Sequence, residues 1–197
     1  MLPCKFCMAV PFVLNPMTNK KTKVYTTSIA RANLFALIIT IPVAAIFATP
    51  YLMLWPLATL ADSLDNILIK FIPALILGTI IHELIHGITW AIYASKGWRS
   101  IKFGMKWTLL TPYCHCKEPL KKSHYLLGAI MPLILMGIIP GLTGIATGNP
   151  YLLLFGIFFT WAAAGDILGA WMLRKVEQTE WVADHPDKLG FVVLDKK

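Results

Sequence analysis

Four long apolar runs, at residues 32–60, 67–94, 124–147 and 151–173, constrain this chain more than any other feature. About twenty apolar residues suffice for a helix to cross the hydrocarbon core of a bilayer, and each run meets that length. The expected fold is therefore an all-α integral membrane protein with four transmembrane helices, the lipid bilayer being its first partner. Composition agrees: 57% of residues are hydrophobic and 14% charged, far from the balance of a soluble domain. At 197 residues the whole chain, 1–197, reads as one domain.

The first run is longer than a membrane requires and is punctuated by Pro42, Pro50 and Pro56, so it is expected to kink or to end in a short outer helix. In the second, Lys70 lies near enough to one end to snorkel, and Trp90 and Tyr93 suit the opposite interface. Gly and Pro residues in the third run allow close helix packing. Asn149 and Pro150 form a tight turn before the fourth.

The net charge of +8 is distributed by segment. Five Lys or Arg precede the first run, none falls in 61–66, seven lie in 95–123, none in 148–150, and five follow from Arg174. By the positive-inside rule both termini and the 95–123 loop face the cytoplasm of a multi-pass cell-membrane protein. A nucleic-acid binder would gather its basic residues on one polar face or tail, so no nucleic acid is expected. The early apolar stretch Met8–Leu14 is interrupted by Pro11 and followed by Lys20, Lys21 and Lys23, which argues against a cleaved signal peptide.

Cys4, Cys7, Cys114 and Cys116 all fall on the cytoplasmic side, where disulfides are disfavoured. They are either four reduced thiols or the ligands of a second metal, although Cys114-x-Cys116 is a tight spacing for one. Residues 101–107 alternate with period two and predict a short β element in the loop between the second and third helices. Such a strand either pairs within the loop or offers an edge to an extended peptide. No internal repeat suggests a transporter's duplicated halves.

Chemistry is concentrated in His82-Glu83-Leu84-Ile85-His86. Positions i and i+4 share one helix face, so both imidazoles can hold one metal ion while Glu83 sits beside them as a base. An ionisable group at mid-membrane costs about 2.5–3.5 kcal/mol, and three within five residues are hard to explain as packing alone. The bland alternative is a helix pair tied by buried polar contacts.

Two imidazoles leave a catalytic zinc ion one protein ligand short. Of the ten acidic residues only Glu83 and Asp166 fall inside the runs. His82 lies fifteen residues beyond Ile67 and Asp166 fifteen beyond Tyr151, about 22 Å down each helix, so the two can meet at one level. A capping or lone polar role is the alternative for Asp166, with Gly165 and Gly169 marking a packing face. The implied chemistry is metal-assisted hydrolysis with Glu83 as the base. For a side chain that contacts substrate or the transition state, His115, Tyr113, His124 and Tyr125 lie near the correct face, although such residues are often interface anchors. His115 is the first choice and Tyr113 the next.

The motif His82-Glu83-Leu84-Ile85-His86, with Pro112–Leu120, Tyr125–Pro132, Ala164-Gly165-Asp166 and Asp184–Phe191, resembles the family of small multi-span bacterial and archaeal proteins called putative zincin peptidases. It is more distantly similar to the site-2 protease clan, although that clan's Asp usually ends in Asp-Gly and Asp166 is followed by Ile167. The resemblance covers about residues 70–192 and implies zinc held by His82, His86 and Asp166, with Glu83 as catalytic base. It further implies a membrane-embedded zinc metalloprotease acting on a membrane-associated or transmembrane protein near the cytoplasmic face. Two other classes compete. A non-catalytic scaffold or chaperone-like protein would keep the zinc for structure, and a metal transporter would need polar residues on both sides of the membrane.

Overall fold

A computed structural model of the chain describes residues 23–63, 67–107, 111–185 and 188–194. Cys4 and Cys7, and with them half of any four-cysteine site, lie outside the described residues, as does the side chain of Lys70. Helix α1, Ile29–Leu54, is capped by the Ser28 side chain, which accepts the Arg31 N–H at 3.2 Å. It continues through Pro42 and Pro50 and stops at Trp55; the short α2, Leu57–Ser63, follows as the proline spacing predicts. Helix α3 is Ile67–Tyr93.

The third run forms α4, Lys122–Pro132, a π turn at Leu133–Ile138, and α5, Ile139–Thr147, which together make one long rod. Gly148 then adopts φ 71°, a left-handed cap that glycine takes without penalty. Asn149 caps α6, Pro150–Ala162, and Pro150 opens it. Helix α7, Ala164–Leu173, continues at a 48° bend. Among the described residues three helices are long and apolar enough to cross a membrane, or four if the bent α6–α7 pair is one span. The fourth run is thus broken, whereas the sequence predicts a single rod.

Helices α1, α5 and α6 pack around Val43, Phe47, Tyr51 and Leu153. Any side chain at Gly156 would enter the backbone of Gly141, which shows how closely α5 and α6 approach. Tyr51 donates its hydroxyl to the Gly148 carbonyl at 2.9 Å, and the Trp55 indole donates to Ile145 at 2.8 Å.

The all-α expectation needs correction at the other end of the molecule. Strands β2, Ile101–Lys106, and β3, Thr111–Cys116, form an antiparallel hairpin, so the period-two stretch finds its partner within the loop. A second sheet has the order β1-β6-β5-β4, with β1 at Lys23–Thr27, β4 at Leu120–Lys121, β5 at Trp181–Asp184 and β6 at Leu189–Leu194. It joins the segment before α1 to the tail after α7, pairing Lys23 with Val193. Val182, Phe191 and Val193 on this sheet close a second core with Trp90, Leu120, Tyr125 and Leu173. The aromatic Phe191 and the β-branched Val192 and Val193 favour the extended backbone of β6.

Candidate metal centre

Helical spacing on α3 places His82 and His86 on one face, both buried. Asp166, in the first turn of α7 just past the bend, reaches them. Its Oδ2 lies 3.2 Å from His82 Nε2 and its Oδ1 lies 3.4 Å from His86 Nε2. One donor atom from each residue falls within 4.8 Å of the others, the one such group among the described residues. Among the described residues Gly165 and Gly169 have no neighbour within reach of a side chain, so there the pair marks no packing face.

The neighbours of His86 decide how its nitrogens are used. Its Nδ1 lies 2.8 Å from the Gly128 carbonyl, which can only accept, so the Nδ1 proton is committed there. In the neutral ring Nε2 then presents a lone pair to an Asp166 oxygen, and two acceptors at 3.4 Å require a cation between them. A second proton would serve, and so would a metal ion. The donor set favours the metal. Two imidazoles and a carboxylate are the ligands of an open catalytic zinc site, and bonds of 2.0–2.2 Å around a tetrahedral ion separate donors by roughly 3.3–3.5 Å. The observed 3.2 and 3.4 Å, each to a different Asp166 oxygen, lie near that separation. His82 Nδ1 is also buried without a hydrogen-bond partner among the described residues.

Side chains from several elements fix this face. The Trp90 indole stacks on His86 with 5.3 Å between ring centroids and on Tyr125 at 5.5 Å, and it donates to the Tyr125 carbonyl at 3.0 Å. A side chain at Gly128 would strike that indole, so only glycine brings its carbonyl to His86. Such an outer bond orients a ligand ring and sets its tautomer.

Glu83 faces β3, and its carboxylate accepts the Cys114 backbone N–H. That contact follows from strand register. Lys117 N–H bonds the Ser100 carbonyl at 2.8 Å, so bonding pairs recur at Lys102 with His115 and at Gly104 with Tyr113. The backbone groups of Pro112, Cys114 and Cys116 therefore point away from β2. Cys116 N–H accordingly donates to Asp184 Oδ2 at 2.8 Å. Among the described residues no strand pairs with this edge of β3. The hairpin is held to α3 by Ile101 and Phe103, which pack where Gly87 has no side chain. Glu118 ties its base: it accepts Ser95 N–H at 2.9 Å and the Ser95 and Ser100 hydroxyls at 2.5 and 2.7 Å, bonds that lower its carboxyl below the ordinary range.

His124 stacks on Tyr93 at 4.0 Å between centroids, an anchor's position. Tyr113 lies across Gly104 on the hairpin. Tyr125 is buried and donates to Asp184 Oδ1. His115 holds Asp184 Oδ2 through Nδ1 at 3.3 Å. Burial pushes the Asp184 carboxyl up, opposed by His115, the Tyr125 hydroxyl and the Cys116 N–H. Asp184 thus organises the region without any role having been expected of it. The cysteines form no metal group among the described residues: Cys114 and Cys116 are free, and burial raises both thiols, Cys116 to about 11 and Cys114 further.

The model of the family described as "putative zincin peptidase" matches residues 75–181, more than half of the chain. The chain belongs to that family. No curated protein and no solved structure matches it. The family match spans all three candidate ligands, Glu83, His115 and Tyr125. Asp184 and the two strands that join the termini, β1 and β6, lie outside it.

Proposed function

We propose that this zincin-family chain is a membrane-embedded zinc metallopeptidase that hydrolyses a membrane-associated or transmembrane protein near the cytoplasmic face. The observation that carries the reading is the convergence of His82, His86 and Asp166 from two helices, with Glu83 beside them and free of the ligand set. A zinc ion bound by those three residues would supply the Lewis acidity that activates water and polarises the scissile carbonyl. Glu83, oriented by the Cys114 N–H, takes the proton from the attacking water and delivers it to the leaving amine. A structural site would have no use for a base so placed.

Location in a bilayer is supported by the outward faces of the helices. Ile41 is 79% exposed, Ile69 74% and Ile76 62%, surfaces that water would not tolerate together. The substrate class is supported by the edge of β3 with which no described strand pairs. Its outward Pro112 and Cys114 carbonyls can pair with an extended peptide and lay it alongside Glu83. Kinship with the site-2 protease clan would agree with both.

Glu83→Gln keeps size and hydrogen bonding but removes the base. Purified in detergent, it should hold zinc as the parent does while cleavage of unfolded protein substrates falls by at least about a hundredfold. Cleavage at the parent rate would exclude Glu83 as the base and favour a scaffold.

A further inference from the structure

We infer that His115 is the side chain that meets the scissile carbonyl oxygen as it gains charge, and that Asp184 is its positioning residue. The inference rests on the reading of the chain as a peptidase. His115 follows Cys114, whose N–H holds Glu83, so it stands about 3.3 Å further along the strand from the group that orients the base. Its Nδ1 is held 3.3 Å from Asp184 Oδ2, and its Nε2 has no protein partner among the described residues. The side chain is 27% exposed, so that nitrogen is open to a ligand.

Asp184 itself cannot swing. The Tyr125 hydroxyl fixes one oxygen and the Cys116 N–H the other, and these donors come from α4 and β3 while Asp184 comes from β5. A partly buried carboxylate anchored from two elements, holding one nitrogen of a partly exposed imidazole, aims the other nitrogen outward. Packing alone gives no reason for that arrangement at the edge of β3 where Glu83 is held. Two other donors nearby are already engaged. Tyr125 bonds Asp184, and Lys122 is buried and donates to the Val176 carbonyl at 2.6 Å.

In the step this serves, the water oxygen bonds the carbonyl carbon and the C=O π pair moves onto oxygen. His115 donates Nε2–H to that oxygen while Asp184 holds its Nδ1. Glu83 holds the water's proton. When the π pair returns, the C–N bond breaks, the amine takes the proton from Glu83, and His115 keeps its own.

Two probes on zinc-loaded full-length protein in detergent test this. A mixture of phosphinic peptides, whose tetrahedral anion mimics the charged oxygen, engages zinc and His115; acetohydroxamate engages zinc alone. His115→Ala should weaken phosphinic-peptide binding by about a hundredfold, the usual loss of one such donor. Acetohydroxamate affinity and zinc content should stay at the parent's values. His115→Gln, which keeps an N–H donor, should recover part of the loss, and Asp184→Asn should fall between parent and His115→Ala. Unchanged phosphinic-peptide binding in His115→Ala overturns the inference, as does an equal loss for both probes, which is what a purely structural role would give. A parent that holds zinc yet binds neither probe overturns the peptidase reading and this inference with it.

Discussion

Around Val43, Phe47, Tyr51 and Leu153 the chain packs helix on helix, through glycines that let α5 and α6 touch. Around Trp90, Tyr125, Val182 and Phe191 it packs strands from both ends of the sequence over the ends of α3, α4 and α7. In the proposed bilayer the first core gains nothing from leaving lipid and rests on contact and a few hydrogen bonds. The second meets water and gains from burial in the ordinary way. The candidate metal ligands lie between these regions, on helices whose relative position the strand-built end helps to set.

Topology is the most complete way to break this comparison. Tags near Lys102 and at the C-terminus should report one side of the membrane and a tag near Asp62 the other, measured by accessibility to an impermeant label. If all three report the same side, the two cores do not face different solvents. Core truncation comes next. Phe191, 1% exposed and stacked on Tyr25 at 5.3 Å between centroids, should cost about 3–5 kcal/mol on change to alanine, read from unfolding in denaturant. Leu153→Ala, equally buried, should cost less than an ordinary Leu→Ala change because the transfer contribution is absent.

Tyr51→Phe removes only the bond to Gly148 and should cost about 0.6–1.7 kcal/mol, the range for such bonds between membrane helices. The smallest effect belongs to Glu118→Gln at the exposed base of the hairpin. The Ser95 and Ser100 bonds depress the Glu118 carboxyl, so their contribution is full above its ordinary range and is lost as pH falls through the depressed value. Parent and Glu118→Gln should therefore differ in thermal midpoint at pH 7 and converge in acid.

The helical half was legible in the sequence because its helices are long apolar runs, and because His82 and His86 stand four apart. Asp166 was found by depth, and it reaches its partners despite the bend at Ala163, which no proline or glycine at that position announces. Only β2 of the strands was visible, since its alternation is local. Strands β1 and β6 pair across nearly the whole chain, Lys23 with Val193, and short runs such as Val24-Tyr25-Thr26 carry no sign of so distant a partner. Asp184 stood in the Asp184–Phe191 motif without a role for the same reason. Only the sheet brings it to Tyr125 and His115.

Metal content of the purified chain tests the central claim most directly. Parent protein should carry about one zinc per chain, and His82→Ala, His86→Ala and Asp166→Ala should each largely lose it. An Asp166→Ala protein that held zinc as tightly as the parent would contradict the account, because the bond between the two helices would then not be made through the metal.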